Sequence, residues 1–275
     1  GDGTNPPALT MADYQAAGVT GVTANNLSAV NAQVLAASTG GADSVTEIQA
    51  LVRAGALVTI EAYNNGDGTN PPALTMADYQ AAGLTGVTAA NLVAVNAQVL
   101  AANTGGADSV TEVQALVTAA NDALAKIEAY NNGDGTTPPA LTVADYEAVG
   151  VTGVTEANLG AVNAQVLAAS TGGADSVTEI QVLVSGAALA TIEAYNNGDG
   201  TTPPALTVED YAAAGVTGVT STNLAAVNAQ VLAASTGGAD SVTEIQALVT
   251  AANDALAKIE AYNNGDGTSP PALTV

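Results

Sequence analysis

Apolar positions fall at helical spacing in three successive stretches, and the whole pattern then starts again. Leu9 and Tyr14 flank Thr10 and Asp13, a cap-and-staple arrangement that predicts a short helix from about Thr10. Gly18 is placed to end it, because glycine takes the left-handed backbone conformation at little cost. Val22, Thr23 and Leu27 repeat the arrangement, and Leu27, Val30, Val34 and Leu35 continue it as a second helix to about Ala37. Ser44 with Glu47 forms the signature of a capping box, and Val45, Ile48, Val52, Leu57 and Ile60 give a third apolar stripe. That helix should run from about Ser44 to Tyr63, roughly 30 Å at about 1.5 Å per residue. The Thr-Gly-Val-Thr stretches are β-prone but too short, so the expected fold class is all-α, a three-helix bundle per copy.

The motif GDGT marks the period. It stands at Gly1, Gly66, Gly133, Gly198 and Gly265, a spacing of 65, 67, 65 and 67 residues. The copies are 1–65, 66–132, 133–197 and 198–264, and 265–275 begin a fifth. The expected architecture is a tandem array of small bundles of alternating length, joined by short Gly/Pro-containing linkers. Pro71-Pro72 and its counterparts stiffen the joint. Four copies would then span on the order of 100 Å.

The longer copies read LVTAANDALAKIEAY, and the shorter ones LVRAGALVTIEAY and LVSGAALATIEAY, with Gly55 and Gly186. Two residues lost inside a helix rotate everything beyond by about 200°. That predicts a kink near Gly55 and Gly186 to keep Leu57 and Ile60 in the core. It also makes a pair of copies, 132 residues, the candidate structural unit. The competing reading is that alternation records only the duplication of an ancestral pair. Tyr63 either packs across the joint or faces solvent, and Tyr14 should anchor the first helix.

Composition narrows the function. There are 26 acidic residues against three basic ones, Arg53, Lys126 and Lys258, for a net charge of −23. That argues against nucleic acid and anionic membranes as partners. Like charge at this density calls for salt or divalent cations to screen it. No apolar run long enough to span a bilayer is evident, so membrane insertion is not expected of this segment. With no histidine and no cysteine, catalysis and zinc binding have little to work with, and an enzyme is not expected.

Asp2, Asp67, Asp134, Asp199 and Asp266 sit on Gly-rich turns and are weak calcium candidates, since hard cations take oxygen ligands. Plain turn formation explains them as well, and no other cofactor is indicated. Asn31, Asn96, Asn163 and Asn228 recur in VNAQVL on an apolar face, where the expected role is to satisfy loop backbone.

The motifs DY, GVTGVT, NLxxVN and ADSVxEIQ, spread over the whole chain, resemble the helical tandem repeats of very large secreted surface proteins of marine and other Gram-negative bacteria. The resemblance implies an adhesin-type stalk or extender, extracellular or at the cell surface. Functional sites of that family lie outside such arrays, so no catalytic residue carries over. Three readings remain open: a stalk whose partners are neighbouring repeats, a self-assembling filament or matrix subunit whose partners are other copies, and a three-helix ligand-binding module.

Overall fold

The computed structural model describes residues 7–66, 72–133, 139–198 and 205–265. It is all-helical, with twelve helices and no strand among the described residues. The first copy contributes α1 (Met11–Ala16), α2 (Leu27–Ala36) and α3 (Val45–Asn64); the second, α4 (Met76–Ala81), α5 (Leu92–Ala101) and α6 (Val110–Asn131). The third contributes α7 (Val143–Glu147), α8 (Leu159–Ala168) and α9 (Val177–Asn197); the fourth, α10 (Val208–Ala213), α11 (Leu224–Ala233) and α12 (Val242–Asn263).

Local chemistry sets these boundaries. The Thr10 side chain accepts from the Asp13 amide while the Asp13 carboxylate accepts from the Thr10 amide at 2.7 Å, a reciprocal box that starts α1. Gly18, at φ +79°, lets the Val19 amide return to the Tyr14 carbonyl and close the helix. Ser44 and Glu47 make the same box at α3. The second helix departs slightly from expectation. Thr23 does cap, pairing reciprocally with Asn26, but its first turn is not regular helix and α2 begins at Leu27. Asn26 is fully buried there and also donates to the Gly21 carbonyl at 2.9 Å, tying the cap to the preceding loop.

The structure forms two compact units. One comprises Gly1–Ala129, Glu147–Gly150 and Asp175–Val177; the other comprises Tyr130–Tyr146, Val151–Ala174 and Thr178–Val275. Each is thus built mainly from two successive copies, and the divide falls within α6, between Ala129 and Tyr130.

Within the first unit α3 packs on α2 of its own copy and also on α4 and α5 of the next. Its first half supplies Val52 and Gly55 to the core; its second half supplies Ile60, Tyr63 and Asn64. A Cβ on Gly55 would stand 2.8 Å from the Val30 backbone, so glycine there sets how closely α2 and α3 approach.

The expected kink is absent: α3 and α9 are continuous helices of 20 and 21 residues. The rotation needs no remedy, because the half beyond Gly55 carries its buried face to the following copy rather than back to its own. Leu57 is half-buried while Ile60 is fully buried. Gly186 has open space where a Cβ would stand, and Ala187, not Gly186, occupies the place of Gly55 one pair on.

One described helix, Val177–Asn197, is long and apolar enough to cross a membrane by length and composition, with a mean hydropathy of 1.3. The sequence reading had expected no such run. In the second unit Ile180, Val184 and Ile192 of this helix are fully buried.

Candidate functional site, the joint between copies

Most of the recurring polar side chains hold loops and helix ends together. Tyr14 donates its hydroxyl to Asn31 Oδ1 at 2.6 Å, and Asn31 Nδ2 donates to the Leu9 carbonyl at 2.8 Å. The same relay runs Tyr79–Asn96–Leu74, Tyr146–Asn163–Leu141 and Tyr211–Asn228–Leu206. It pins the chain entering each short helix to the middle helix, the role expected of these asparagines. Burial pushes the phenols of Tyr79, Tyr146 and Tyr211 well above their ordinary range, with lesser contributions from Tyr63, Tyr130 and Tyr195 and the adjacent aspartates, so they act only as neutral donors.

A second clamp was not anticipated from sequence. Gln49 accepts from the Thr20 amide at 3.2 Å and donates to the Thr20 carbonyl at 2.9 Å, satisfying both polar groups of one loop residue. Gln114, Gln181 and Gln246 do the same for Thr85, Thr152 and Thr217. The only signal was a glutamine after each Ile or Val in EIQ and EVQ, at the start of a helix where any polar residue would pass as solvent-facing.

The end of each long helix is also more than a turn. Asn64 Nδ2 donates to the carbonyls of Val99 and Ala102, at 2.7 and 3.0 Å, and so caps the C-terminus of the middle helix in the next copy. Asn131 bonds Val166 and Ala169, and Asn196 bonds Val231 and Ala234, in the same way. The Oδ1 atoms of the three asparagines are buried without a donor. The adjacent Asn65, Asn132 and Asn197 each accept from a glycine amide, at Gly105, Gly172 and Gly237. Tyr63, 5 % exposed and close enough to Tyr79 to influence its phenol, packs across the joint.

In the first unit Asp78 completes the contact. Fully buried, it accepts from Thr23, from Asn25 Nδ2 at 2.8 Å and from both the amide and hydroxyl of Thr75. Gly21 lies against Ala81 there, and Gly153 against Ala213 in the second unit. A Cβ on Gly153 would stand 2.9 Å from that of Ala213, and its φ is +81°. Gly153→Ala should therefore lose roughly 2–4 kcal/mol, conformational strain and overpacking together. Gly215→Ala, at φ +83° but with open space, should lose only about 1–2 kcal/mol. Urea denaturation of the two variants tests the difference, and equal losses would remove the case for close approach at Gly153.

The acidic side chains at helix starts behave as caps. The Ser109 hydroxyl, and secondly Asp108, hold Glu112 below its ordinary pKa, and Asp108 is raised by the hydrogen bond and charge of Glu112. A lowered carboxylate stabilises the fold above its unfolded pKa and loses that contribution as pH falls through its folded value. Glu112→Gln should accordingly lower the melting temperature at pH 7 and converge on the parent chain near pH 3. A gap unchanged between the two pH values would mean the charge contributes nothing.

Among the described residues no group of three or more acidic side chains is arranged to hold a metal ion. The calcium candidates Asp2, Asp67, Asp134, Asp199 and Asp266 lie outside the described residues. No protein-family model, curated protein or solved structure matches the chain.

Proposed function

We propose that this chain is a structural repeat segment of an extracellular fibre or large surface adhesin, a stalk made of small three-helix modules in tandem. The observation that carries the reading is the recurring joint: the end of one copy's long helix caps the middle helix of the next by the same asparagine bonds at Asn64, Asn131 and Asn196. A joint made by a shared helix resists bending more than a free linker does. The charge of −23 supports a working environment rich in salt or calcium, where repulsion along the array is screened. Neighbouring repeats are the partners in this reading, and no catalytic role is assigned.

Electron microscopy of arrays with two, four and eight copies, in seawater-like salt and calcium, tests it. Thin rods whose length grows in proportion to copy number are expected. Freely jointed beads would overturn the stalk. Ordered thicker filaments would favour the second reading, a self-assembling subunit, which the apolar surfaces left at the two ends of the chain support.

A further inference from the structure

Three features stand apart from the joints already described: the pocket beside Gly153, the orphaned oxygens of Asn64, Asn131 and Asn196, and two exposed apolar surfaces in the first and last copies. The third carries an inference furthest.

In the last copy Leu256, Ile259 and Tyr262 are 38, 52 and 55 % exposed. Their equivalents 132 residues earlier, on α6, include Leu124 and Ile127 at 7 and 0 %. The two helices, VTEVQALVTAANDALAKIEAYN and VTEIQALVTAANDALAKIEAYN, differ at one position, so the same apolar face is covered in one and bare in the other.

The first copy shows the complementary surface. Pro7, Leu9, Asn31, Val34 and Leu35 line an open apolar groove. Leu9 is 42 % exposed where Leu74, Leu141 and Leu206 are 1, 1 and 2 %. Leu35 is 76 % exposed where Leu100, Leu167 and Leu232 are 40, 42 and 51 %.

We infer that these surfaces bind each other between molecules: the C-terminal half of α12 of one chain docks in the Leu9–Leu35 groove of a second copy. The occupant follows from register. A 67-residue copy comes last and a 65-residue copy first, so a head-to-tail contact continues the alternation 65, 67, 65, 67 without a break. Asn263 then meets the carbonyls of Val34 and Ala37 of the second copy as Asn131 meets those of Val166 and Ala169. Gln230 likewise faces the Ala16 carbonyl of the second copy as Gln98 faces that of Ala148. Both carbonyl acceptors and both amides are in place in the single chain. The contact is heterologous, with different surfaces on the two partners, so it propagates into chains rather than closing a dimer. It rests on the reading of the joint as the repeating structural unit.

The test is sedimentation velocity of the whole chain from about 1 to 500 µM in 0.5 M sodium chloride, which screens the like charge. Growth of the mean sedimentation coefficient with concentration is expected. Ile259→Asp and Leu35→Asp change exposed residues, so each should fold as the parent does and each should weaken association about 100-fold, a burial loss plus a desolvated charge. Mixed together, the two variants keep one intact end each, and their association should return but stop at a heterodimer. A parent chain that stays monomeric at 500 µM, variants that associate like the parent, or a mixture that stays monomeric would each overturn the inference. Thin rods by microscopy together with a monomeric parent chain would leave the stalk standing and remove only the intermolecular joint.

Discussion

Aspartate at position 60 is expected to abolish the joint between the first two copies. Ile60 is fully buried in the half of α3 that meets α4 and α5. Three basic residues serve the entire chain, so a carboxylate there finds no ready counter-charge. An uncompensated buried charge together with the lost apolar burial should remove on the order of 5 kcal/mol. The same substitution at Ile259, the structural equivalent at 52 % exposure, should change stability by less than about 0.5 kcal/mol. Hydrogen exchange by mass spectrometry reads both outcomes in the full chain. Ile60→Asp should strip protection from α3 to α5, while Ile259→Asp should leave every segment protected as in the parent. Comparable losses at both positions would mean that burial at the joint does not decide stability.

The second large effect is expected at Tyr79. Its ring is fully buried and its hydroxyl donates to Asn96 Oδ1 at 2.7 Å. Tyr79→Ala should lower the unfolding free energy of the first unit by about 3–5 kcal/mol through the cavity it leaves. Tyr79→Phe retains the ring and leaves one buried acceptor without its donor, a loss of about 1–3 kcal/mol. Urea titrations followed by circular dichroism separate the two. If phenylalanine proved as damaging as alanine, the hydrogen bond and not the ring would be the anchor. The ranking alanine worse than phenylalanine worse than parent is the expected one, since ring burial removes much more apolar surface from water than the hydroxyl contributes.

Local signals in the sequence carried far. The boxes at Thr10–Asp13 and Ser44–Glu47, the stop at Gly18 and the loop-holding role of Asn31 all follow from side-chain chemistry within a few residues. What was not legible is ownership of the long helices. GDGT is the most visible landmark, and cutting there assigns α3 wholly to the first copy. Ile60, Tyr63 and Asn64 then have to be explained by a core they do not belong to, which is why a kink was expected near Gly55. A period says how often a pattern recurs but not where one core ends and the next begins. Asn64 shows the same limit: beside Asn65 and Gly66 it reads as turn material, and only a neighbour 35 residues away reveals it as a cap.

A helix shared by two copies has a consequence for how the array comes apart. Beads on linkers melt one by one, each with its own transition. Here, losing one copy uncovers the end of the helix before it and the middle helix after it, so each repeat stabilises the next and the coupling resembles a one-dimensional chain of interacting spins. Melting should then begin at the bare terminal turns around Ile259 and travel inward, and the melting temperature should climb with copy number before levelling off. Length in such a molecule is itself a source of stability.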